Sequence, residues 1–352
     1  MKVLVTGGAG FIGTEVCRLL VSRPNVQVIN VDSLTYAANL DGVNELSTDD
    51  SYVFEKGDIR DSAKITTLLQ SFAPDSVMHL AAESHVDRSI DDGSTFISSN
   101  VVGTQVLLDC ALSYWRQLNL EKQEKFRFLH VSTDEVYGAL GRHGQFNENS
   151  PYSPNSPYAA SKAASNHLVR AWHQTYGLPV LTTNCSNNYG PYQFPEKLIP
   201  LIIGNALAGQ LLPIYGTGEN IRDWLYVSDH AEALLTVLLE GQTGEVYNIG
   251  GGAEKSNIEL VHLICDSLDH MVPDSPYRPH SDLVTFVEDR PGHDFRYSID
   301  DSKIRSKLGW MPKWGLEEGL RKTVAWYVAN KEWMESVKNK SYNHSRRGLG
   351  EQ

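Results

Sequence analysis

Short apolar runs alternate with amphipathic stretches along the first half of the chain. Lys2–Thr6 is the first of these runs; it ends at glycines and is typical of a buried parallel strand. The same alternation predicts strands over Val26–Val31, Tyr52–Glu55, Ser76–Leu80, Phe126–Ser132 and Val180–Asn184, and helices over Phe11–Val21, Asp61–Ser71, Ser94–Leu118 and Tyr158–Tyr176. This order favours an α/β fold with a doubly wound parallel sheet and right-handed crossovers.

The pattern becomes less regular after about residue 186, where Pro, Gly and aromatic residues become frequent. We therefore predict a first domain over residues 1–186 and a smaller C-terminal α/β domain over 187–335. A predicted helix over Asp229–Glu240 and a strand over Val246–Ile249 suggest that the segment of about 228–250 returns to the main sheet. Residues 336–352 show no periodicity, and we expect a flexible tail there.

Composition narrows the possible partners and location of the protein. The chain has 352 residues, of which 41% are hydrophobic, so it can bury a sizeable core. Its formal net charge of −12 argues against general nucleic-acid binding but not against an anionic small molecule. Apolar stretches such as Ala233–Leu239 are too short to span a membrane, and no signal peptide follows Met1. Four widely spaced cysteines favour reduced thiols, so we expect a cytoplasmic protein.

A glycine-rich segment, Gly7–Gly13, joins the first predicted strand to the first helix. Glycines there permit a tight turn and let backbone N–H groups approach a pyrophosphate, which the helix N-terminus stabilises. Asp32 ends the second strand, where a carboxylate accepts hydrogen bonds from a ribose 2′-OH and repels a 2′-phosphate. The spacing therefore predicts a Rossmann-type domain that binds NAD rather than NADP. The alternative is an ordinary glycine turn with a helix-capping Asp.

Five motifs fall at the carboxyl ends of predicted strands, and ligands of open α/β sheets bind outside those ends. We therefore expect Gly7–Gly13, Asp32, Asp58, Ala81–His85 and Thr133–Glu135 to surround one crevice. Asp58 has two equal interpretations, facing an adenine or capping a helix.

Tyr158 and Lys162 are four residues apart and share one helix face. A free phenol has a pKa of about 10, too high for a base at neutral pH. A nearby ammonium and a nicotinamide cation would favour the phenolate, so the pair suggests hydride transfer. Alone, this spacing is a common coincidence.

Asp134 and Glu135 follow Thr133 at the end of the fifth predicted strand. Adjacent like charges push one pKa up, so one acid can stay protonated while its neighbour is ionised, as general acid–base catalysis needs. Consecutive residues of a strand point to opposite faces, so the two acids converge only if the strand has ended. Beside a hydride-transfer pair they suggest removal of water; the alternative is an exposed acidic loop.

With these motifs the chain resembles the extended short-chain dehydrogenases/reductases and, more narrowly, the dTDP-glucose 4,6-dehydratases. The resemblance spans roughly residues 2–300. It is carried by Thr6–Gly13, Asp32–Tyr36, His79–Ser89, Ser132–Gly138, Tyr158–Lys162, Asn184–Pro191, Phe194–Pro200 and Arg290–His293.

The resemblance implies a role for each catalytic candidate. Tyr158 would take the sugar O4 proton while NAD takes the C4 hydride, and Thr133 would hydrogen-bond O4. Glu135 would then remove the C5 proton, and Asp134 would protonate the departing 6-hydroxyl. Hydride return to C6 would give a 4-keto-6-deoxy sugar with no net consumption of NAD.

We expect two sets of binding residues. The expected NAD contacts are Gly7, Gly10, Phe11, Ile12, Gly13, Asp32, Ser33, Leu34, Thr35, Asp58, Ile59, Leu80, Ala81, Ala82, Ser84, Ser99, Tyr158, Lys162 and Asn188. The expected nucleotide-sugar contacts are Ser84, Thr133, Asn187, Glu196, Lys197, Leu198, Pro213, Tyr215, Arg222, Asn257, Arg290, His293 and Tyr297. Lys197, Arg222 and Arg290 are the candidates for the diphosphate, with a surface ion pair as the alternative for each Arg.

The remaining expectations concern metals, assembly and rival functions. No metal-ligand motif accompanies His85 or His293, so we expect no required metal. The family suggests a homodimer formed by the predicted helices Ser94–Leu118 and Tyr158–Tyr176. A nucleotide-sugar 4-epimerase, a dehydratase of another nucleotide-glucose and a non-catalytic NAD-binding regulator remain as alternatives.

Overall fold

The computed structural model describes residues 1–341, and a seven-stranded sheet lies at its centre. The strands are β1 Lys2–Thr6, β2 Gln27–Asp32, β3 Tyr52–Lys56, β4 Ser76–His79, β5 Arg127–Thr133, β6 Val180–Cys185, β7 Asn187–Tyr189, β8 Leu212–Tyr215, β9 Ile221–Tyr226, β10 Val246–Ile249, β11 Glu254–Ser256 and β12 Val284–Val287. The central sheet has the order β10-β6-β5-β4-β1-β2-β3, and all of its neighbouring pairs run parallel.

Helices cover both faces of this sheet and build the C-terminal part. They are α1 Phe11–Val21, α2 Ser62–Phe72, α3 Val86–Asp91, α4 Gly93–Phe96, α5 Gly103–Gln117, α6 Leu120–Lys125, α7 Pro157–Tyr176, α8 Leu198–Leu207, α9 Val227–Glu240, α10 Asn257–Met271, α11 Ser302–Leu308, α12 Leu316–Ala329 and α13 Lys331–Ser341. The α/β class and the parallel sheet predicted from the sequence are confirmed.

The side chains of β1 point alternately to the two faces of the sheet, and both faces are buried. Val3 and Val5 face a core with α1 and α9, whereas Leu4 between them faces a core with α2, α5 and α7. Both faces of the strand are therefore apolar, as expected for a parallel sheet buried between two helical layers. The strand order reverses between β4 and β1, and the crevice at their carboxyl ends is the expected ligand position.

The helix predicted over Ser94–Leu118 is interrupted by a π-helical turn at Ile97–Val102. The widened turn brings the buried Asn100 side chain to the backbone of Glu83, whose N–H it accepts at 2.8 Å and whose carbonyl it contacts at 2.9 Å. The amide of Asn100 also donates to Ser161 Oγ at 2.8 Å. Hydrophobic periodicity could not reveal this interruption because it depends on a contact between distant segments.

The C-terminal part has its own core. β11, β9 and β7 form one small sheet, β12 and β8 form another, and α8, α10 and α12 pack beside them. The segment containing α9 and β10 instead belongs to the main sheet, since β10 pairs with β6 and α9 packs on α1.

The flexible tail was predicted to begin at residue 336, but the structure is still helical there. Helix α13 continues to Ser341, and Met334 and Val337 on one of its faces are buried. The sequence analysis missed this helix because its apolar positions, Trp333, Met334 and Val337, span little more than one turn among charged and polar residues. Residues 342–352 lie outside the described part of the chain.

Among residues 1–341, one helical stretch, Gly93–Gln117, is long and apolar enough to cross a membrane. Half of its most apolar window is buried inside the protein, and the core helix of a globular domain passes the same test.

Candidate active site

The glycine loop leaves space at the carboxyl ends of β1 and β4. Gly7 has a φ of +76°, and a Cβ there would lie 2.6 Å from the backbone N of Ala81. A Cβ on Gly13 would collide with the carbonyl oxygen of Gly7. Both positions thus require glycine, and the resulting turn directs the N-terminus of α1 into the crevice, as a pyrophosphate site needs.

Asp32 holds the edge of this crevice. Its carboxylate accepts hydrogen bonds from the backbone N–H of Ala9 at 3.0 Å and of Leu34 at 2.8 Å. Burial raises the pKa of Asp32, while these two donors lower it. The carboxylate therefore ties β2 to the glycine loop, in the position where a ribose hydroxyl would meet it. The surroundings fit a dinucleotide without a 2′-phosphate.

One cleft, the cofactor cleft, gathers most of the predicted cofactor and catalytic residues. The predicted residues that line it are Gly7, Gly10, Phe11, Ile12, Gly13, Asp32, Ser33, Thr35, Asp58, Ile59, Leu80, Ala81, Ala82, Ser84, Ser99, Thr133, Asp134, Glu135, Tyr158, Lys162, Asn187, Asn188 and Lys197. Leu34 is outside this lining and contributes its backbone to Asp32 instead. Asp58 lines the cleft and pairs with Arg60, so it does not act as the cap of α2, which is Asp61.

The two acids enter the cleft because the strand stops before them. β5 ends at Thr133, and residues Asp134–Tyr137 form a 3₁₀ turn. Thr133 Oγ1 accepts a hydrogen bond from the N–H of Glu135 at 3.3 Å and thereby caps the turn. Asp134 and Glu135 both line the cleft, which meets the condition for their convergence. The alternative of an exposed acidic loop is wrong, since Asp134 is only 2% exposed.

The two carboxyls have unlike surroundings. Burial raises the pKa of Asp134 well above its usual value, and the charges of Glu135 and Asp223 raise it further. Burial also raises the pKa of Glu135, but Arg290, Lys197 and Arg222 oppose this rise. Asp134 is therefore the acid that keeps its proton more readily, and Glu135, beside three cations, is the one that ionises more readily.

The Tyr158 and Lys162 side chains lie on one face of α7 and are both buried. Lys162 Nζ donates to the carbonyl of Val131 at 2.9 Å, and burial lowers its pKa to about 8. Burial, followed by the charge of Glu135, raises the pKa of Tyr158 well above its usual value. The protein's own charges therefore do not favour the phenolate, contrary to our expectation for Lys162, and a further positive charge is needed beside Tyr158.

The two arginines proposed for the diphosphate lie outside the cofactor-cleft lining. Arg222 is buried in β9, donates to the carbonyl of Asp294 at 2.9 Å and packs over the Tyr297 ring. Arg290 donates to Asp87 at 2.5 Å. Both guanidinium groups influence the pKa of Glu135, so they stand on the side of the cleft where the acids lie.

Ser84, Thr133, Asn187 and Lys197 are the predicted sugar contacts that line the cofactor cleft, and the others lie outside its lining. Tyr215 Oη donates to Asp87 at 3.0 Å, and His293 Nδ1 lies 2.7 Å from Asp289. The remaining members are Glu196, which pairs with Arg88, Leu198 and Asn257 at the starts of α8 and α10, Pro213 in β8, and the buried Tyr297.

The cleft also contains residues that the sequence analysis did not assign as cofactor or sugar contacts, although Glu83 and His85 belong to the segment Ala81–His85 that it expected at the crevice. They are Val31, Tyr36, Ala37, Ala38, Gly57, Arg60, Glu83, His85, Val131, Ser132, Cys185, Ser186, Gln193 and Phe194. Most lie within or beside the motifs, so extending each motif past its strand end would have found them. Within residues 1–341, no group of three or more potential metal ligands is present.

The fold, the glycine loop and the buried Tyr158/Lys162 pair define an enzyme class, the extended short-chain dehydrogenases/reductases. A family model described as GDP-mannose 4,6 dehydratase matches residues 4–323, and the chain belongs to this family.

Relatives narrow the resemblance further. A dTDP-glucose 4,6-dehydratase of Neisseria meningitidis serogroup B is 56% identical over 352 residues, which cover 99% of each chain. The crystal structure of DesIV, a dTDP-glucose 4,6-dehydratase from Streptomyces venezuelae with NAD and TYD bound, is 46% identical. It covers 96% of this chain and 100% of its own, with a TM-score of 0.87. The predicted resemblance to dTDP-glucose 4,6-dehydratases is confirmed.

The scaffold is shared with a different activity. A UDP-glucose 4-epimerase from Thermotoga maritima, solved with UDP-glucose, is 29% identical and has a TM-score of 0.81. It covers 94% of this chain and 100% of its own. The fold alone therefore does not distinguish dehydration from epimerisation, and the side chains of the site must do so.

Proposed function

We propose that the chain is a hydro-lyase that converts dTDP-glucose into dTDP-4-keto-6-deoxyglucose and water, with bound NAD that is not consumed. The observation that carries this proposal is that Asp134 and Glu135 line the same cleft as Tyr158 while experiencing unlike charges. A Tyr/Lys pair alone serves oxidation and reduction. An acid that keeps its proton beside a carboxylate supplies what elimination of water requires in addition. The names of the relatives support the same activity.

The glycine loop and Asp32 would hold NAD, with Lys162 within the same cleft for its ribose. When bound, NAD accepts a hydride from C4 of the sugar and returns it to C6, and its oxidised ring adds positive charge beside Tyr158. Tyr158 takes the proton of the O4 hydroxyl, and Thr133 hydrogen-bonds that oxygen. Because burial and Glu135 disfavour the Tyr158 phenolate, proton removal depends on that added charge.

The acids act after the C4 ketone has formed, since the ketone acidifies the C5 proton. Glu135, which faces three cations, removes that proton. Asp134 donates its proton to the 6-hydroxyl, which leaves as water. Glu135 exchanges this proton with solvent and then protonates C5 as hydride reaches C6. Tyr158 releases the O4 proton to solvent and Asp134 takes one up, so all three groups regain their starting states.

Lys197, Arg222 and Arg290 are proposed to bind the diphosphate. Arg222 is buried and Lys197 and Arg290 are half-buried, and the charges of all three lower the pKa of Glu135, so a diphosphate on this side of the cleft would meet three cations. Lys197 Nζ contacts the carbonyl of Ser84 at 2.9 Å and would turn towards the diphosphate when the nucleotide binds.

An isotope experiment tests the reaction. dTDP-glucose deuterated at C4 should give a product with deuterium at C6 and solvent hydrogen at C5, as followed by NMR. A product with an intact hydroxymethyl group would instead identify a 4-epimerase and refute the dehydratase. Turnover of the uridine, cytidine and guanosine diphosphate glucoses in the same assay tests whether thymine is the preferred base.

Three coarser features complete the proposal. We infer that residues 1–186 with about 228–250 form the cofactor domain and that 187–335 form the nucleotide-sugar domain, supported by their separate cores. We also propose a homodimer in which α5 and α7 pair with their copies, supported by the exposed apolar side chains of Ile97 and Val102 beside these helices. Four buried free cysteines support the expected cytoplasmic location.

A further inference from the structure

Arg88 on α3 is engaged by two segments that form the cofactor cleft, although it does not line the cleft itself. Its guanidinium lies 3.6 Å from the centre of the Tyr36 ring. The same group forms a bidentate pair with Glu196, with Nε donating to Oε2 at 2.9 Å. A planar guanidinium can stack on the Tyr36 ring and at the same time donate two hydrogen bonds to the Glu196 carboxylate. The ammonium group of a lysine cannot do both.

Each of the two segments contributes residues to the cleft lining. Residues 33–38, which we call the cofactor strap, follow Asp32 and contribute Ser33, Thr35 and Tyr36 to the cleft lining. Residues 193–197, which we call the substrate segment, contribute Phe194 and Lys197. The edge of the Phe194 ring also meets the Tyr36 ring at 5.5 Å between centroids.

The ion pair between Arg88 and Glu196 is largely shielded from solvent, so it can hold the two segments in place. The Glu196 side chain is 3% exposed and the Arg88 side chain 18%, so solvent screens their attraction little. His85 Nε2 lies 3.3 Å from Glu196, but burial lowers the pKa of His85 to about 3, so this neutral imidazole does not supply the charge that Arg88 supplies. Loss of the guanidinium would leave a buried carboxylate without its cation, which the substrate segment would relieve by moving towards solvent.

The cofactor strap has a second attachment. The Tyr36 side chain interacts with the buried Glu83 carboxyl, and the charge of Arg88 also acts on Glu83. Asn39, just after the strap, donates its N–H to the carbonyl of Ala9 in the glycine loop at 2.8 Å. Arg88 thus links the strap to the substrate segment at the cleft edge, beside the direct contact between the Tyr36 and Phe194 rings.

We propose that Arg88 is a positioning residue that keeps the cofactor strap against the substrate segment and so retains NAD(H) between the two hydride transfers. This inference rests on the proposed function, because only a reaction that returns its hydride needs the reduced cofactor to stay bound after the first transfer. If the reduced cofactor escaped, the oxidised sugar would remain without the hydride that its C6 must receive.

The test measures cofactor retention in the absence of substrate. The wild-type protein, Arg88→Lys and Arg88→Ala are loaded with NADH, and its release is followed by fluorescence as excess NAD displaces it. Arg88→Lys should release NADH on the order of tenfold faster, because lysine keeps the charge but loses the fork and the stacking. Arg88→Ala should release it faster still, and both variants should carry less NAD after gel filtration.

A matched control separates this role from a general loss of stability. Arg305 on α11 also pairs with a carboxylate, that of Asp301 just before the helix: its Nε donates to Oδ1 at 2.8 Å and its Nη2 lies 2.7 Å from Oδ2. Arg305→Ala should keep the wild-type release rate even if its melting temperature falls. Wild-type release from a folded Arg88→Lys, or release that follows melting temperature across all variants, would overturn the proposal. Because no sugar is present, failure of dTDP-glucose dehydration would leave this result intact and count only against the proposed function.

Discussion

Thr133 Oγ1 accepts the backbone N–H of Glu135 at 3.3 Å and so caps the 3₁₀ turn that follows β5. Without the turn, Asp134 and Glu135 would point to opposite faces of the sheet. The hydroxyl that caps the turn also lines the cofactor cleft. Thr133 therefore places both acids and is itself positioned to contact the sugar.

Glu135→Gln should stop the reaction after the oxidation step. The amide has nearly the shape of the carboxylate but cannot accept the C5 proton, whereas Tyr158 and Lys162 remain in place. We expect C4 oxidation to persist and water release to fall by on the order of 10² or more, the usual size of a general-base contribution. Absorbance of the reduced cofactor should rise and persist after dTDP-glucose is added. Water release at the native rate would show that Glu135 is not the base.

Asp134→Asn should slow elimination and alter its dependence on pH. Asp134 must be protonated, and its pKa is raised well above the usual value, so activity should be lost as pH rises through that pKa. Glu135 must be ionised, and its pKa is also raised, so activity should be lost as pH falls through it. The residual activity of Asp134→Asn should lack the alkaline loss and keep the acidic one. A pH profile of kcat for both proteins makes the comparison, and an unchanged alkaline limb would contradict the assignment.

Gly7→Ala should abolish cofactor binding. The methyl group would lie 2.6 Å from the backbone of Ala81, and the φ of +76° is unfavourable for alanine. The two strand ends would have to separate, which opens the pyrophosphate turn. NAD binding measured by calorimetry should fall below detection.

Gly141→Ala is the matched control for that variant. A Cβ at Gly141 meets no atom within 4 Å, so NAD affinity and melting temperature should stay near those of the wild type. Equal NAD affinity in Gly7→Ala and Gly141→Ala would show that the close approach of Gly7 to Ala81 does not shape the site.

The central sheet and the cofactor cleft could be predicted from sequence because their signals are local. An apolar run followed by glycines identifies β1 and its loop, and Asp32 falls at the end of the next strand. The π turn around Asn100 and the pair between Arg88 and Glu196 could not be predicted. Each depends on contacts between segments far apart in the chain, for which a single sequence gives no periodicity or spacing.

The effect of the surroundings on the pKa of Tyr158 could not be predicted from the sequence either. Four-residue spacing places Lys162 on the same helix face, but it does not reveal that Lys162 Nζ donates to Val131 or that burial dominates both pKa values. Burial is a property of the assembled core. The spacing therefore identified the correct pair but not the direction in which the protein shifts the pKa of the phenol.

Lys162→Met should raise stability at neutral pH while abolishing activity. Burial lowers the pKa of Lys162 from 10.5 to about 8, so below that value the folded state carries a buried charge at a cost of up to about 3 kcal/mol. Between the two pKa values the unfolded chain binds more protons than the folded one, so the penalty diminishes as pH rises. The stability gain of Lys162→Met should therefore be largest below about pH 8 and decline towards pH 10.5. Part of it is offset because Val131 loses its side-chain donor.

Denaturant unfolding of cofactor-free wild type and Lys162→Met across this pH range measures the difference. Lys125→Met is the matched control, because Lys125 is exposed and its pairing with Glu121 raises its pKa instead. Its difference from wild type should show no corresponding decline from pH 8 upwards. A Lys162→Met difference that stays constant with pH would mean that the ammonium of Lys162 is better solvated in the folded protein than its burial indicates, and Lys162 would then meet the cofactor as an ordinary charged lysine.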